Sequence, residues 1–184
     1  MEFLIATSVV ALAEIGDKTQ LLSLLLAARY RKPWPIVLGI TVATLLNHAA
    51  AAALGQLVQS YLTPDVLRWV LGLSFLAVAA WTLIPDELEE SESAAYRFGP
   101  FLATLILFFF AEIGDKTQVA TIMLAARYPS LVMVVSATTL GMLLANAPVV
   151  WLGGVAAERL PLKAIRAAAA ALFAVLGVYA LLAG

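Results

Sequence analysis

The chain has no cysteine and a single histidine, His48. Without thiols there are no disulfides, no thiolate metal sites and no cysteine nucleophile. One histidine excludes a multi-histidine metal centre within one chain. Charge is scarce as well. Asp, Glu, Lys and Arg make up 12% of 184 residues, about half the share of an ordinary soluble domain. The net charge is −1, so nothing in the charge balance suggests nucleic acid as a partner. The start, Met1-Glu2-Phe3, lacks the positive n-region of a secretory signal, and a retained first helix is expected there. What fills the chain instead is hydrocarbon. Hydrophobic residues account for 63% and the mean hydropathy is +0.97. Such a composition predicts an all-α integral membrane protein in contact with a lipid bilayer, with no soluble domain.

Six apolar runs approach the ~20 residues that a helix needs to cross the hydrocarbon. They cover residues 3–28, 35–59, 66–84, 99–126, 131–157 and 162–182. The chain also repeats itself. AEIGDKTQ at 13–20 recurs letter for letter at 111–118, and LAARY at 26–30 recurs at 124–128 with the same offset. Ser23 corresponds to Thr121, Asn47 to Asn146 after one inserted residue, and Arg68, Phe75 and Trp81 to Arg166, Phe173 and Tyr179. The expected organisation is therefore a first three-helix repeat (1–84), an acidic linker (85–98) and a second three-helix repeat (99–184). Three is odd, so the second copy enters the membrane from the other side, giving six transmembrane helices as two inverted three-helix repeats. The joins after the first, third and fifth runs hold Arg29, Arg31, Lys32, Arg97, Arg159, Lys163 and Arg166, whereas the other joins hold Arg68 and Arg127. The excess of positive charge places the odd joins and the linker in the cytoplasm and both termini outside it. Trp34, Trp69 and Tyr30 stand at run ends as interface anchors.

Each copy of the octapeptide sets two carboxylates and a lysine inside a greasy run. A charged residue at mid-bilayer costs at least ~2.5–3.5 kcal/mol, so these groups must face the bundle interior. On a continuous helix Glu14, Asp17 and Lys18 share one face, as do Glu112, Asp115 and Lys116. Gly16 and Gly114 fall on the opposite side, where a missing side chain permits close packing or a local break. Four carboxylates and two lysines leave two negative charges, which one divalent cation or two protons would neutralise. Carboxylate, amide and hydroxyl oxygens suit Mg²⁺, Ca²⁺ and Mn²⁺ better than Cu⁺ or Zn²⁺. The metal ligands expected are Glu14, Asp17, Glu112 and Asp115. The supporting path comprises Lys18, Thr19, Gln20, Asn47, Lys116, Thr117, Gln118 and Asn146, with Thr44 one turn before Asn47. A buried carboxylate that loses its cation can take up a proton instead, which is the minimal chemistry of cation/proton exchange. The competing structural reading is a salt-bridge network built on Glu14–Lys18 and Glu112–Lys116, at the favourable spacing of four. His48 has Ala147 as its counterpart and reads as a packed or interfacial histidine, and Pro148 as the site of a kink.

Two E-x-G-D-K-[ST] motifs in a small six-helix membrane protein resemble the GDT family of cation transporters, over nearly the whole chain. The signature maps onto Glu14, Gly16, Asp17, Lys18 and Thr19, and onto Glu112, Gly114, Asp115, Lys116 and Thr117. The resemblance implies transport of Mn²⁺ and Ca²⁺ in exchange for protons and, in a bacterial plasma membrane, export of Mn²⁺ from the cytoplasm. The metal is then substrate, and neither a resident cofactor nor an enzymatic reaction is expected. The short start, without the extension of organellar relatives, fits a bacterial plasma membrane. Two rivals are an exporter of a small organic cation and a membrane-embedded metal-dependent enzyme. The first needs apolar contacts beside the acids, and the second needs a nucleophile or activated water.

Overall fold

In the computed structural model, residues 1–85, 94–152 and 161–182 are described. Among them are eight α-helices: α1 (Glu2–Glu14), α2 (Lys18–Tyr30), α3 (Pro33–Tyr61), α4 (Pro64–Thr82), α5 (Gly99–Glu112), α6 (Lys116–Arg127), α7 (Leu131–Leu152) and α8 (Leu162–Leu182). A 3₁₀ turn, Ala94–Phe98, leads into α5. Most of the acidic linker (86–93) lies outside the described residues, as does the stretch 153–160 that follows α7.

Local chemistry sets the helix ends. Proline stands in the first turn of α3, α4 and α5, where its missing N–H costs nothing and its fixed φ is already helical. The chain leaves α2 through Arg31 at φ 52°, whose N–H returns to the Ala27 carbonyl. Five stretches are long and apolar enough to cross a membrane: Pro33–Tyr61, Pro64–Thr82, Ala95–Glu112, Leu131–Leu152 and Leu162–Leu182. The 29 residues of α3 make a rod of about 43 Å, longer than the ~30 Å hydrocarbon layer, which a tilt accommodates.

The run at 3–28 is not one continuous helix. It divides into two helices of 13 residues, each too short to span. The run at 99–126 divides in the same way into α5 and α6. Both breaks fall inside the octapeptide. Neither pair of half-helices folds back side by side: α1 packs chiefly on α7, and α2 on α7 and α5, while α5 and α6 both lie on α3. α7 continues through Pro148 as far as Leu152.

The distribution of side chains is that of a molecule in lipid. Leu38, Leu45, Leu46, Leu54, Leu57, Val132, Leu144 and Val175 are exposed, while Glu14, Asp17, His48, Glu112, Asp115 and Lys116 are buried. A soluble protein does the reverse with its charges. Between the helices, close approach rests on small residues. A Cβ at Gly55 of α3 would collide with the Ile122 carbonyl of α6, and one at Gly141 of α7 with the Thr7 carbonyl of α1, as expected where van der Waals contact drives helix association. α4 and α8 form the tightest pair, with Gly72 against Leu181 and Phe75 stacked on Phe173 at 6.3 Å between ring centroids.

The contacts also fix which ends are neighbours. Tyr30 donates to the Tyr96 carbonyl at 2.8 Å, and Trp34 meets Trp151 edge-on at 5.3 Å. At the other end, Gln56 donates to the Pro129 carbonyl, and Pro64, Arg127 and Tyr179 line one cleft. Trp34 and Trp69 are exposed, as interface anchors require.

Candidate cation site

The octapeptide breaks its helix in the same manner twice. Ile15 and Ile113 are extended, with ψ of 116° and 120°. Gly16 and Gly114 follow at φ +82° and +75°, a region that costs an L-residue roughly 1–2 kcal/mol and glycine nothing. Asp17 and Asp115 then act as N-caps of α2 and α6, accepting from Thr19 N at 3.4 Å and Thr117 N at 3.3 Å. The glutamine closes the loop. Gly16 N donates to Gln20 Oε1 at 2.9 Å and Gly114 N to Gln118 Oε1 at 2.8 Å. The expectation of one helical face carrying Glu14, Asp17 and Lys18 is thus corrected. Glu14 ends one helix and Asp17 caps the next, because the positive φ of Gly16 turns the chain between them; Glu112 and Asp115 are separated likewise.

Breaking the helix exposes backbone dipoles at the centre of the bundle. The C-terminal carbonyls of α1 and α5 favour positive charge, and the N-termini of α2 and α6 favour the capping aspartates. The two breaks also meet. Lys18 Nζ lies 2.9 Å from Asp115 Oδ1, and Lys116 pairs with Asp17. Each lysine therefore crosses to the aspartate of the other copy. The pairs on which the competing structural reading rests, Glu14–Lys18 and Glu112–Lys116, are not the salt bridges seen among the described residues. With the helix broken between them, a spacing of four no longer places glutamate and lysine on neighbouring turns.

Carboxylate oxygens of Glu14, Asp17 and Asp115 come within 4.8 Å of one another, all buried, a spread that one cation with metal–oxygen distances of about 2.0–2.6 Å can bridge. Glu14 Oε2 accepts from Thr19 Oγ1 at 2.5 Å and from Asn146 Nδ2 at 3.5 Å. Asn146 is itself held by Ser23 Oγ, which donates to its Oδ1 at 2.9 Å. Glu112 Oε2 accepts from Thr117 Oγ1 at 3.4 Å. The second oxygens, Glu14 Oε1 and Glu112 Oε1, have no hydrogen-bond partner among the described residues, and neither has Thr44 Oγ1. Buried carboxylate oxygens left bare are costly unless a cation or proton arrives.

Residues 2–90 and 100–184 match the family described as "Divalent cation/proton antiporter GDT1". The chain belongs to the GDT1 family. It is 60% identical over 170 residues to a Vibrio cholerae protein named "Putative manganese exporter", covering 92% of this chain and 84% of that one. A GDT1-like protein of Synechocystis, sll0615, is 29% identical over 138 residues, 64% of this chain and 66% of its own. GDT1-like protein 3 of Oryza sativa subsp. indica is 33% identical over 146 residues, 64% of this chain and 51% of its own. No solved structure matches the chain.

Within this GDT1-family chain, most of the side chains singled out from the sequence converge. Glu14, Asp17, Lys18, Thr19, Asp115, Lys116 and Asn146 join one network, and Thr117 binds both Glu112 and Asp115. Gln20 is drawn in through the Ala145 carbonyl, at 3.1 Å. Two differ. Gln118 serves its own loop, and Asn47 donates to the Phe109 carbonyl at 3.0 Å rather than to a carboxylate. Asn47 lies on α3 one turn after Thr44, and its amide is taken up by the backbone of α5. His48 was not expected at the site. It is fully buried, with Nε2 3.9 Å from Glu112 Oε2. Its adjacency to Asn47 was the available signal, and its lack of a counterpart in the other repeat concealed it.

Proposed function

We propose that this chain is a secondary transporter that exchanges divalent cations, Mn²⁺ and/or Ca²⁺, for protons and exports Mn²⁺ from the cytoplasm across a bacterial plasma membrane. One observation carries the reading: both octapeptides contribute to a single buried cluster in which each lysine neutralises the aspartate of the other copy, while Glu14 and Glu112 keep a bare oxygen. The family description and the name of the Vibrio relative support it. A structural network would satisfy its carboxylates; this one leaves two groups to be served by a mobile charge.

In this account α1–α2 and α5–α6 are each one interrupted span, giving six spans as two inverted repeats with both termini outside the cytoplasm. Glu14, Asp17, Glu112 and Asp115 take the cation. The lysine ammoniums hold the aspartates when no cation is bound, and an arriving divalent ion competes with them. Protons replace the cation on the glutamates as it leaves. The breaks then open alternately, one copy toward each side of the membrane.

The test is uptake of ⁵⁴Mn²⁺ and ⁴⁵Ca²⁺ into proteoliposomes under an imposed pH gradient, for the wild type, Glu14→Gln and Glu112→Gln. Uptake that follows the gradient and falls at least 100-fold in both variants is expected, since amides keep the shape but neither charge nor proton. A wild type that moves neither ion, or variants that transport normally, would sink the reading.

A further inference from the structure

We propose that His48 is a nitrogen ligand of the transported cation on the Glu112 side of the site, and that it biases selection toward Mn²⁺ over Ca²⁺. The inference rests on the transport reading above and adds a donor atom that the oxygen-only cluster lacks.

The tautomer follows from hydrogen bonding. Thr138 Oγ1 donates its one proton to the Val134 carbonyl at 2.8 Å. The assignment that satisfies this bond together with the 2.9 Å contact between Thr138 Oγ1 and His48 Nδ1 has the ring N–H donate and the hydroxyl oxygen accept. Nδ1 holds the proton, and Nε2 of the neutral ring presents its lone pair. A metal-binding histidine is oriented in this way, with one nitrogen anchored to an oxygen and the other directed at the ion.

Nε2 stands beside Glu112. Nε2 is buried, has no hydrogen-bond partner among the described residues, and lies 3.9 Å from Glu112 Oε2. That gap is too long for a hydrogen bond. It matches the separation of two ligands that each stand about 2.1–2.5 Å from one cation at a wide angle. Two lone-pair acceptors at that separation repel, and a cation between them turns the repulsion into coordination. Three elements build the arrangement: α3 carries His48, α7 anchors it through Thr138, and the end of α5 supplies Glu112.

The duplication makes the placement informative. Asn146 of the second repeat gives Glu14 an amide donor, whereas its counterpart Asn47 turns to the Phe109 carbonyl. His48 takes the position beside Glu112 that an amide holds beside Glu14. Imidazole suits first-row transition ions, whereas Ca²⁺ takes oxygen. One nitrogen donor among carboxylates discriminates between two ions that the carboxylates alone would both accept.

Because His48 is the chain's only histidine, isotopic labelling is unambiguous. The experiment is pulsed EPR of Mn²⁺ bound to the purified, tag-free protein, grown with ¹⁴N- or ¹⁵N-histidine. A nitrogen modulation that changes with the label and vanishes in His48→Ala is expected. In equilibrium titrations, the ratio of Mn²⁺ to Ca²⁺ affinity should fall roughly tenfold in His48→Ala, with Ca²⁺ binding little changed. Bound Mn²⁺ without label-dependent nitrogen coupling would overturn this inference and leave the transport reading standing. Failure of the wild type to bind Mn²⁺ would overturn both. The label experiment needs only the wild type, so a folding defect in His48→Ala does not protect the proposal.

Discussion

The two copies of AEIGDKTQ are identical in sequence and unequal in surroundings. Leu162, the first residue of α8, packs over the break in the first copy, its Cδ2 2.9 Å from where a Cβ would stand on Gly16. At Gly114 no described atom comes within 4 Å of that point, and Ile113 is 52% exposed. The Lys116 side chain is 3% exposed, that of Lys18 27%. Glu14 accepts a 2.5 Å bond from Thr19, while Glu112 has a 3.4 Å contact to Thr117 and stands 3.9 Å from His48 Nε2. The two tightest partners also favour one end. α8 packs on α1, and α4 packs on α6. If the repeats were in equivalent states, α4 would pack on α5 as α8 does on α1. One duplicated motif thus stands in two environments.

The aspartates give the largest expected contrast. Asp17→Asn removes the charge opposite a buried ammonium and should cost about 3–5 kcal/mol. Asp115→Asn acts on a lysine that reaches solvent and should cost about 1 kcal/mol. Thermal unfolding in detergent reads both, and equal losses would remove the asymmetry. The double variant Asp17→Asn/Lys116→Met should be milder than Asp17→Asn alone, because no charge is then buried opposite a neutral group.

Next come the glycines. Gly16→Ala and Gly114→Ala each force a Cβ into the positive-φ region, for roughly 1–2 kcal/mol. Gly16→Ala should lose more, since Leu162 must also move, and the excess should disappear in a Leu162→Ala background. If Gly114→Ala is the worse of the two, the covered and open breaks have been assigned the wrong way round.

Smaller differences are expected at the threonines. Thr19→Val deletes a 2.5 Å bond to Glu14, and Thr117→Val a 3.4 Å contact to Glu112. Loss of a hydrogen bond to a charged group is worth about 1.5–3 kcal/mol, so Thr19→Val should weaken Mn²⁺ binding at least about tenfold and Thr117→Val by less. Equilibrium Mn²⁺ titration of the two variants decides it, and a larger effect at Thr117 would contradict the geometry.

Much of this arrangement is written in the chain. Hydropathy marks the apolar runs, and the duplication marks Glu14, Asp17, Glu112 and Asp115 as a set. What the sequence left open was the break, since the glycines allowed either close packing or a local break. Helical periodicity assumes continuity, and the residue that ends it, a glycine at φ +82°, is also the residue that close packing favours. Once the helix breaks, spacing within a copy no longer tells which groups meet, so Lys18 pairs with Asp115 and not with Glu14. His48 escaped for a related reason. Comparing repeats highlights what is shared, and the residue that distinguishes the second carboxylate is the one that is not.

The central claim is that two motifs build one site, and counting bound Mn²⁺ tests it most directly. Titration of the purified wild type, with Glu14→Gln, Asp17→Asn, Glu112→Gln and Asp115→Asn alongside, should give one ion per chain, with each substitution weakening that same ion by an order of magnitude or more. Two ions per chain, with the first pair of variants losing one and the second pair losing the other, would show two separate sites and contradict the account.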